Sequence, residues 1–134
     1  MKNPESQAER WLKQAGHDLQ VARENLQLQF YSDCCFMCEQ TAQKAMKAFL
    51  FAQGLRSIVE HSIAGLVKRA MSYDRAFESL LEQAGVLDQY YIPTRYPDAL
   101  AEPAVPFETY TSEQASQALK IAQGFMEFVR RKLG

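Results

Sequence analysis

The stretch from Tyr90 to Asp98, YYIPTRYPD, sets one arginine among three tyrosines and two prolines. The planar guanidinium of Arg95 can stack on Tyr91 or Tyr96 while its fork of donors faces a phosphate or a carboxylate. Such a device binds an anion or a partner, or closes as a lid. The structural alternative is a clamp in which Arg95 pairs with Asp98 or caps a helix end. Upstream, Lys44 and Lys47 could line a phosphate site, with Lys44 the stronger candidate, although Glu39, Lys44 and Lys47 on one helix ordinarily form a solvated rim. The chain has two histidines, His17 and His61. Read as ordinary residues, His61 hydrogen-bonds a neighbouring helix or loop and His17 faces solvent or a partner. The sequence holds no acid pair, glycine-rich phosphate loop or nucleophile triad, so phosphoryl-transfer, glycosidase and hydrolase readings have no support.

Three cysteines, Cys34, Cys35 and Cys38, fall within five residues. An odd, clustered set argues for reduced thiols. Neither histidine stands at a metal-ligand spacing from them, so no metal site and no cofactor is expected. The thiols read as small buried hydrophobes.

With 134 residues, 47% of them apolar, the chain is expected to form one domain over 1–134 whose core needs neither disulfide nor metal. Fifteen Lys and Arg against sixteen Asp and Glu leave no overall field to attract nucleic acid, so any nucleotide or RNA contact must be local. No apolar run approaches the roughly 20 residues that span a bilayer, and MKNPESQAER is too polar for a secretion signal. No membrane association and a cytoplasmic location are expected.

Helical periodicity positions these side chains. Asn3, Pro4 and Glu5 make a helix start, and Ala8, Trp11, Ala15, Leu19, Ala22 and Leu26 recur at steps of three or four, predicting a first helix to about Leu28. Ser32 or Asp33 is expected to cap a second helix that runs to Gln53 and ends at Gly54. That helix is apolar around its circumference, which implies a second buried face: neighbours within the chain, a homodimer seam, or both. Ile63, Leu66, Val67 and Ala70 mark a third helix, and Phe77, Leu80, Leu81, Ala84 and Leu87 a fourth. Pro93 and Pro97 keep the YYIPTRYPD segment out of helix and push Ile92 and Tyr96 toward extended backbone. DALAEPAVPFETY reads as a loop. Thr111 and Gln114 stand at capping-box spacing before a last helix carrying Ala115, Leu119, Ala122, Met126, Val129 and Leu133, with Arg130, Arg131 and Lys132 at its negative end. Nothing alternates at period two. The class is all-α, an antiparallel up-and-down bundle of about five helices.

The order of these pieces resembles the HEPN family, the nucleotide-binding domain of higher eukaryotes and prokaryotes. The resemblance runs from about Ala8 to Val129 and rests on Ala8 and Trp11, HDLQVA at 17–22, CEQTAQKAMKAFLFAQG at 38–54, EHSIAGL at 60–66 and YYIPTRYPD. It implies a helical bundle that forms homodimers, often paired with a small nucleotidyltransferase in a toxin–antitoxin-like system. It also implies that some members are metal-independent ribonucleases, with four to six residues between an arginine and the histidine that follows it. In such chemistry the imidazole moves the proton of a ribose hydroxyl and the cation stabilises phosphate charge. Arg56 and His61 fit that spacing, as do Arg10 and His17. The residues expected to bind nucleotide or partner are Lys44, Tyr91, Arg95 and Tyr96, with RNA a further candidate ligand. A non-catalytic dimeric interaction module is the remaining reading.

Overall fold

The computed structural model describes residues 3–134; Met1 and Lys2, the start of the polar N-terminal stretch, lie outside the described residues. Asn3 opens the first helix as expected, its side-chain oxygen accepting from the backbone N–H of Glu5 at 2.8 Å and of Ser6 at 3.2 Å, two donors that a helix start otherwise leaves unpaired. This helix, α1, spans Pro4–Gln27 and buries Ala8, Ala15, Asp18, Leu19 and Ala22.

The turn into α2, Tyr31–Ala52, differs from expectation. Neither Ser32 nor Asp33 caps it: Phe30 holds the cap position with no side-chain bond. The cause lies in how α1 ends. Gln29 adopts a left-handed conformation, φ 66°, its N–H bonds Leu26 O at 3.1 Å and that of Phe30 bonds Asn25 O at 2.8 Å. This paired closure reverses the chain within three residues, so α2 starts before the polar pair and Ser32 is buried in its first turn.

The central helix is α2. It packs against α1, α3 (Ile63–Met71) and α6 (Ser112–Leu133), and also meets α4 (Leu81–Asp88) and the one-turn α5 (Pro106–Thr109). Its all-round apolar surface is therefore consumed inside the chain, and Cys34, Cys35, Cys38, Ala42, Ala45, Met46, Phe49, Leu50 and Phe51 are all buried there. A dimer seam is not needed to account for this helix. Gly54, at φ 96°, ends it as expected, in a backbone region that a side chain disfavours.

The expected fourth helix is two segments. A 3₁₀ turn over Arg75–Leu80, begun by the Asp74 side chain accepting from Ala76 N at 3.0 Å, runs straight into α4. Phe77 and Leu80, three apart, share one side of the tighter turn; Phe77 is fully buried, with ring centroids of Phe49 at 4.4 Å and Phe128 at 4.9 Å. The 90–98 segment contains no α-helix, as its prolines dictate; Tyr96 is extended and Pro97–Ala99 forms a 3₁₀ turn. The following stretch, expected as loop, contains α5, which Pro106 opens with its fixed φ. Thr111 and Gln114 form the full capping box of α6. Among the described residues there is no strand, and no helix is long and apolar enough to cross a membrane. The fold is the expected all-α bundle.

Candidate functional site

Two places gather the polar side chains that could do chemistry. The first is a groove of about 870 Å³ where α1, α2 and the loop after α2 meet. Arg10, Lys13 and His17 reach it from α1, Lys44 from α2, and Arg56 from the loop, with Trp11, Phe51 and Ile58 as its apolar lining. Four permanent cations and an imidazole thus line one concave surface, and no acid among the described residues lines it. Asp18 lies behind: buried, it takes Lys44 Nζ at 2.5 Å and the amide of Gln14 at 3.0 Å. Lys44 is therefore tethered in an ion pair, while Arg10, Lys13 and Arg56 are exposed. Such a surface attracts polyanions, and the indole of Trp11 offers a stacking plane for a base.

The second place is the cluster of His61, Tyr91, Arg95 and Tyr96. Its frame is set by Asp88 at the end of α4, whose carboxylate accepts from Ile63 N at 2.6 Å, Ala64 N at 3.1 Å and Ser62 Oγ at 3.0 Å. A negative charge on the first turn of α3 satisfies orphan donors and complements the helix dipole, and it fixes the chain next to His61. The His61 ring stacks on Tyr91, centroids 5.3 Å apart, and its Nδ1 lies 3.4 Å from Gln43 Oε1. Arg95 does not pair with Asp98. Its Nε and Nη2 both donate to Tyr91 O, at 3.0 and 2.7 Å, and its guanidinium sits 4.1 Å from the Phe36 ring centroid and 5.1 Å from those of Tyr91 and Tyr96. Two of its nitrogens are spent holding the 91–95 turn. Thr94, buried, closes the same turn by donating to Tyr90 O at 2.7 Å.

Beneath this cluster lies a residue the sequence pattern placed on a solvated rim. Glu39 is fully buried. Its Oε1 accepts from Gln40 Nε2 and its Oε2 from Gln43 Nε2, each at 2.8 Å. Burial pushes its carboxyl up to about 7, against the opposing effect of those two amides; Asp88 adds to the rise and Arg95 works against it. Lys47, also expected on the rim, is buried too, over the Trp11 ring at 5.5 Å. Burial lowers its pKa, and Glu39 partly restores it. The sequence carried one signal for both: 39, 43 and 47 are four apart, so they share a helix face, and that face is turned inward. The cysteines are buried free thiols as expected; burial pushes Cys35 up to about 12, while a hydrogen bond between Cys34 and Cys38 raises Cys38, with burial adding to the rise, and lowers Cys34. Cys35 and Cys38 therefore stay protonated and unreactive.

The sequence candidates therefore divide. Lys44 and Arg56 line the groove together with Arg10 and His17, so the Arg10–His17 pair lies there whole and the Arg56–His61 pair only by its arginine, since His61 does not line it. His61 instead joins Tyr91, Arg95 and Tyr96.

The comparisons with known proteins agree with this architecture. The HEPN domain matches residues 8–132, and the chain belongs to the HEPN family. The crystal structure of TT1696 from Thermus thermophilus superposes with a TM-score of 0.88 and 40% identity, over 94% of this chain and 98% of that one. That of ST0689, an archaeal HEPN homologue, gives a TM-score of 0.78 and 34% identity over 100% of both chains. Among curated proteins, "Putative toxin MJ1304" of Methanocaldococcus jannaschii is 28% identical over 131 residues, 92% of this chain and 86% of that protein.

Proposed function

We propose that this HEPN protein is a toxin-like subunit that binds a nucleotide or the phosphates of single-stranded RNA in the α1–α2 groove, with Trp11 stacking on a base. The observation that carries this is the convergence of Arg10, Lys13, Lys44 and Arg56 on one surface in a chain of net charge −1. In this reading the protein works in the cytoplasm as a homodimer alongside a small nucleotidyltransferase, and Arg95, Tyr91 and Tyr96 form the face offered to that partner. Its toxin-like character is supported by the likeness to MJ1304.

The test is binding of ATP, AMP and a short RNA by thermal shift and titration, with Arg10→Ala/Arg56→Ala as the variant. About three cations engaged on single-stranded RNA predict a salt slope near −2, or roughly 20-fold weaker binding between 50 and 200 mM salt. The double variant, at exposed positions, is expected to bind weakly with a flatter slope while melting normally. Equal binding by wild type and variant, or no ligand shifting the melting temperature, rejects the groove.

A second reading, a metal-independent ribonuclease, draws on the imidazoles. His17 stands in the groove with Arg10 and Arg56, whereas the Arg56–His61 pair is divided between the two places. Cleavage lost in His17→Ala but kept in His61→Ala assigns the chemistry to the groove; the reverse returns it to Arg56 and His61; retention in both removes each of them.

A further inference from the structure

Gln43 joins the buried Glu39 to the surface His61, and its amide can face them in only one sense at a time. Its Nε2 donates to Glu39 Oε2 at 2.8 Å, so its oxygen is the end turned toward His61 Nδ1, 3.4 Å away. An oxygen there accepts, so Nδ1 must carry the hydrogen. In a neutral imidazole one nitrogen donates and the other accepts, so Nε2 is left bare on an exposed ring that stacks on Tyr91. Glu39 fixes the sense of the amide because both its oxygens already accept amide hydrogens, Oε1 from Gln40, an arrangement suited to the ionised carboxylate. The charges acting on it are Asp88 from α4, Arg95 from the 90–98 segment and Lys47 from its own helix; none of these described residues forms an ion pair with it, which leaves the amides as its partners.

We propose that Glu39, acting through the Gln43 amide, is a positioning residue that holds His61 in the Nδ1–H form, so that its Nε2 is presented as a hydrogen-bond acceptor for a ligand bearing a donor such as a ribose hydroxyl or an exocyclic amine. The proposal is independent of the groove and of any catalysis. An acceptor on a ring stacked against Tyr91, which the Arg95 guanidinium also contacts, is suited to a polar, flat ligand, and the relay gives a carboxylate and two glutamines a reason to sit together on one helix.

Nitrogen-15 NMR of the histidine rings tests it in the intact protein at pH 8.5, where Glu39 is ionised. The second histidine, His17, is exposed and has no relay, so it serves as an internal reference. A net hydrogen bond contributes about 0.5–1.5 kcal/mol, and 3.4 Å lies at the weak end. His61 is therefore expected to favour Nδ1–H over Nε2–H at least about twofold more than His17 does. In Gln43→Leu that preference should vanish and the His61 signals should approach those of His17. Identical tautomer ratios for His61 and His17 in the wild type overturn the proposal without any variant. An unchanged His61 ratio in folded Gln43→Leu overturns it as well.

Discussion

Glu39→Gln removes the one fully buried carboxylate of α2 while keeping its shape and its capacity to accept an amide hydrogen. A carboxyl whose pKa is raised on folding holds its proton more tightly in the folded than in the unfolded chain, so unfolding stability is greatest below the unfolded value and falls as pH rises through the folded one. For Glu39 the rise from 4.5 to about 7, at about 1.4 kcal/mol per unit, means that the wild type loses about 3 kcal/mol between pH 4.5 and 8. The amide that replaces it cannot ionise and does not incur that loss. Urea denaturation of both proteins from pH 4.5 to 8.5 isolates the effect, because other titrating groups contribute alike and cancel in the difference. The variant's stability relative to wild type is expected to climb by about 3 kcal/mol across this range, with most of the change between pH 5 and 7. A difference constant to within about 1 kcal/mol would mean that Glu39 is solvated or paired in solution, and the account of its burial would fall.

Three further outcomes follow from the fold. Gln29→Gly relieves a left-handed residue at the end of α1 and should raise stability by about 1 kcal/mol; a lower melting temperature would contradict the Gln29 geometry. Asp88→Ala strips three donors at the start of α3 of their acceptor, at a cost of about 2 kcal/mol, and amide exchange at Ile63 and Ala64 should accelerate more than elsewhere in α3. Phe77→Ala opens a cavity between Phe49 and Phe128 and should cost about 4 kcal/mol by chemical denaturation.

Much of the bundle could be read from local pattern, because a helix announces itself through neighbouring residues. Asn3 and the Thr111–Gln114 pair cap as written, and the stripes of α1, α3 and α6 lie where their spacing puts them. What was not legible depended on backbone choices or on distant partners. Gln29 gives no glycine signal, yet it takes the left-handed turn and so shifts the start of α2 ahead of Ser32. Phe77 to Leu87 has a helical spacing throughout, and only the packing of Phe77 between two rings makes its first turn a 3₁₀ one. The site was harder still. Arg95 was recognisable as a functional type, but its spending of two nitrogens on Tyr91 O depends on the turn its prolines create. The groove unites Arg10 with Arg56, residues more than forty apart, which no spacing rule connects. Glu39 reads as rim because a charged residue is most often exposed, and only the four-residue spacing of Glu39, Gln43 and Lys47 along one helix face hints otherwise.

Trp11 is the chain's single tryptophan, and it lines the groove with the Phe51 ring centroid 5.4 Å and the Lys47 ammonium 5.5 Å from its own. The molecule thus has a built-in optical reporter at the place where a ligand is expected. A base stacking on the indole should quench its emission, so occupancy can be followed on unlabelled protein. Because the same ring stands at the seam of α1 and α2, the red shift on unfolding will record when those two helices part.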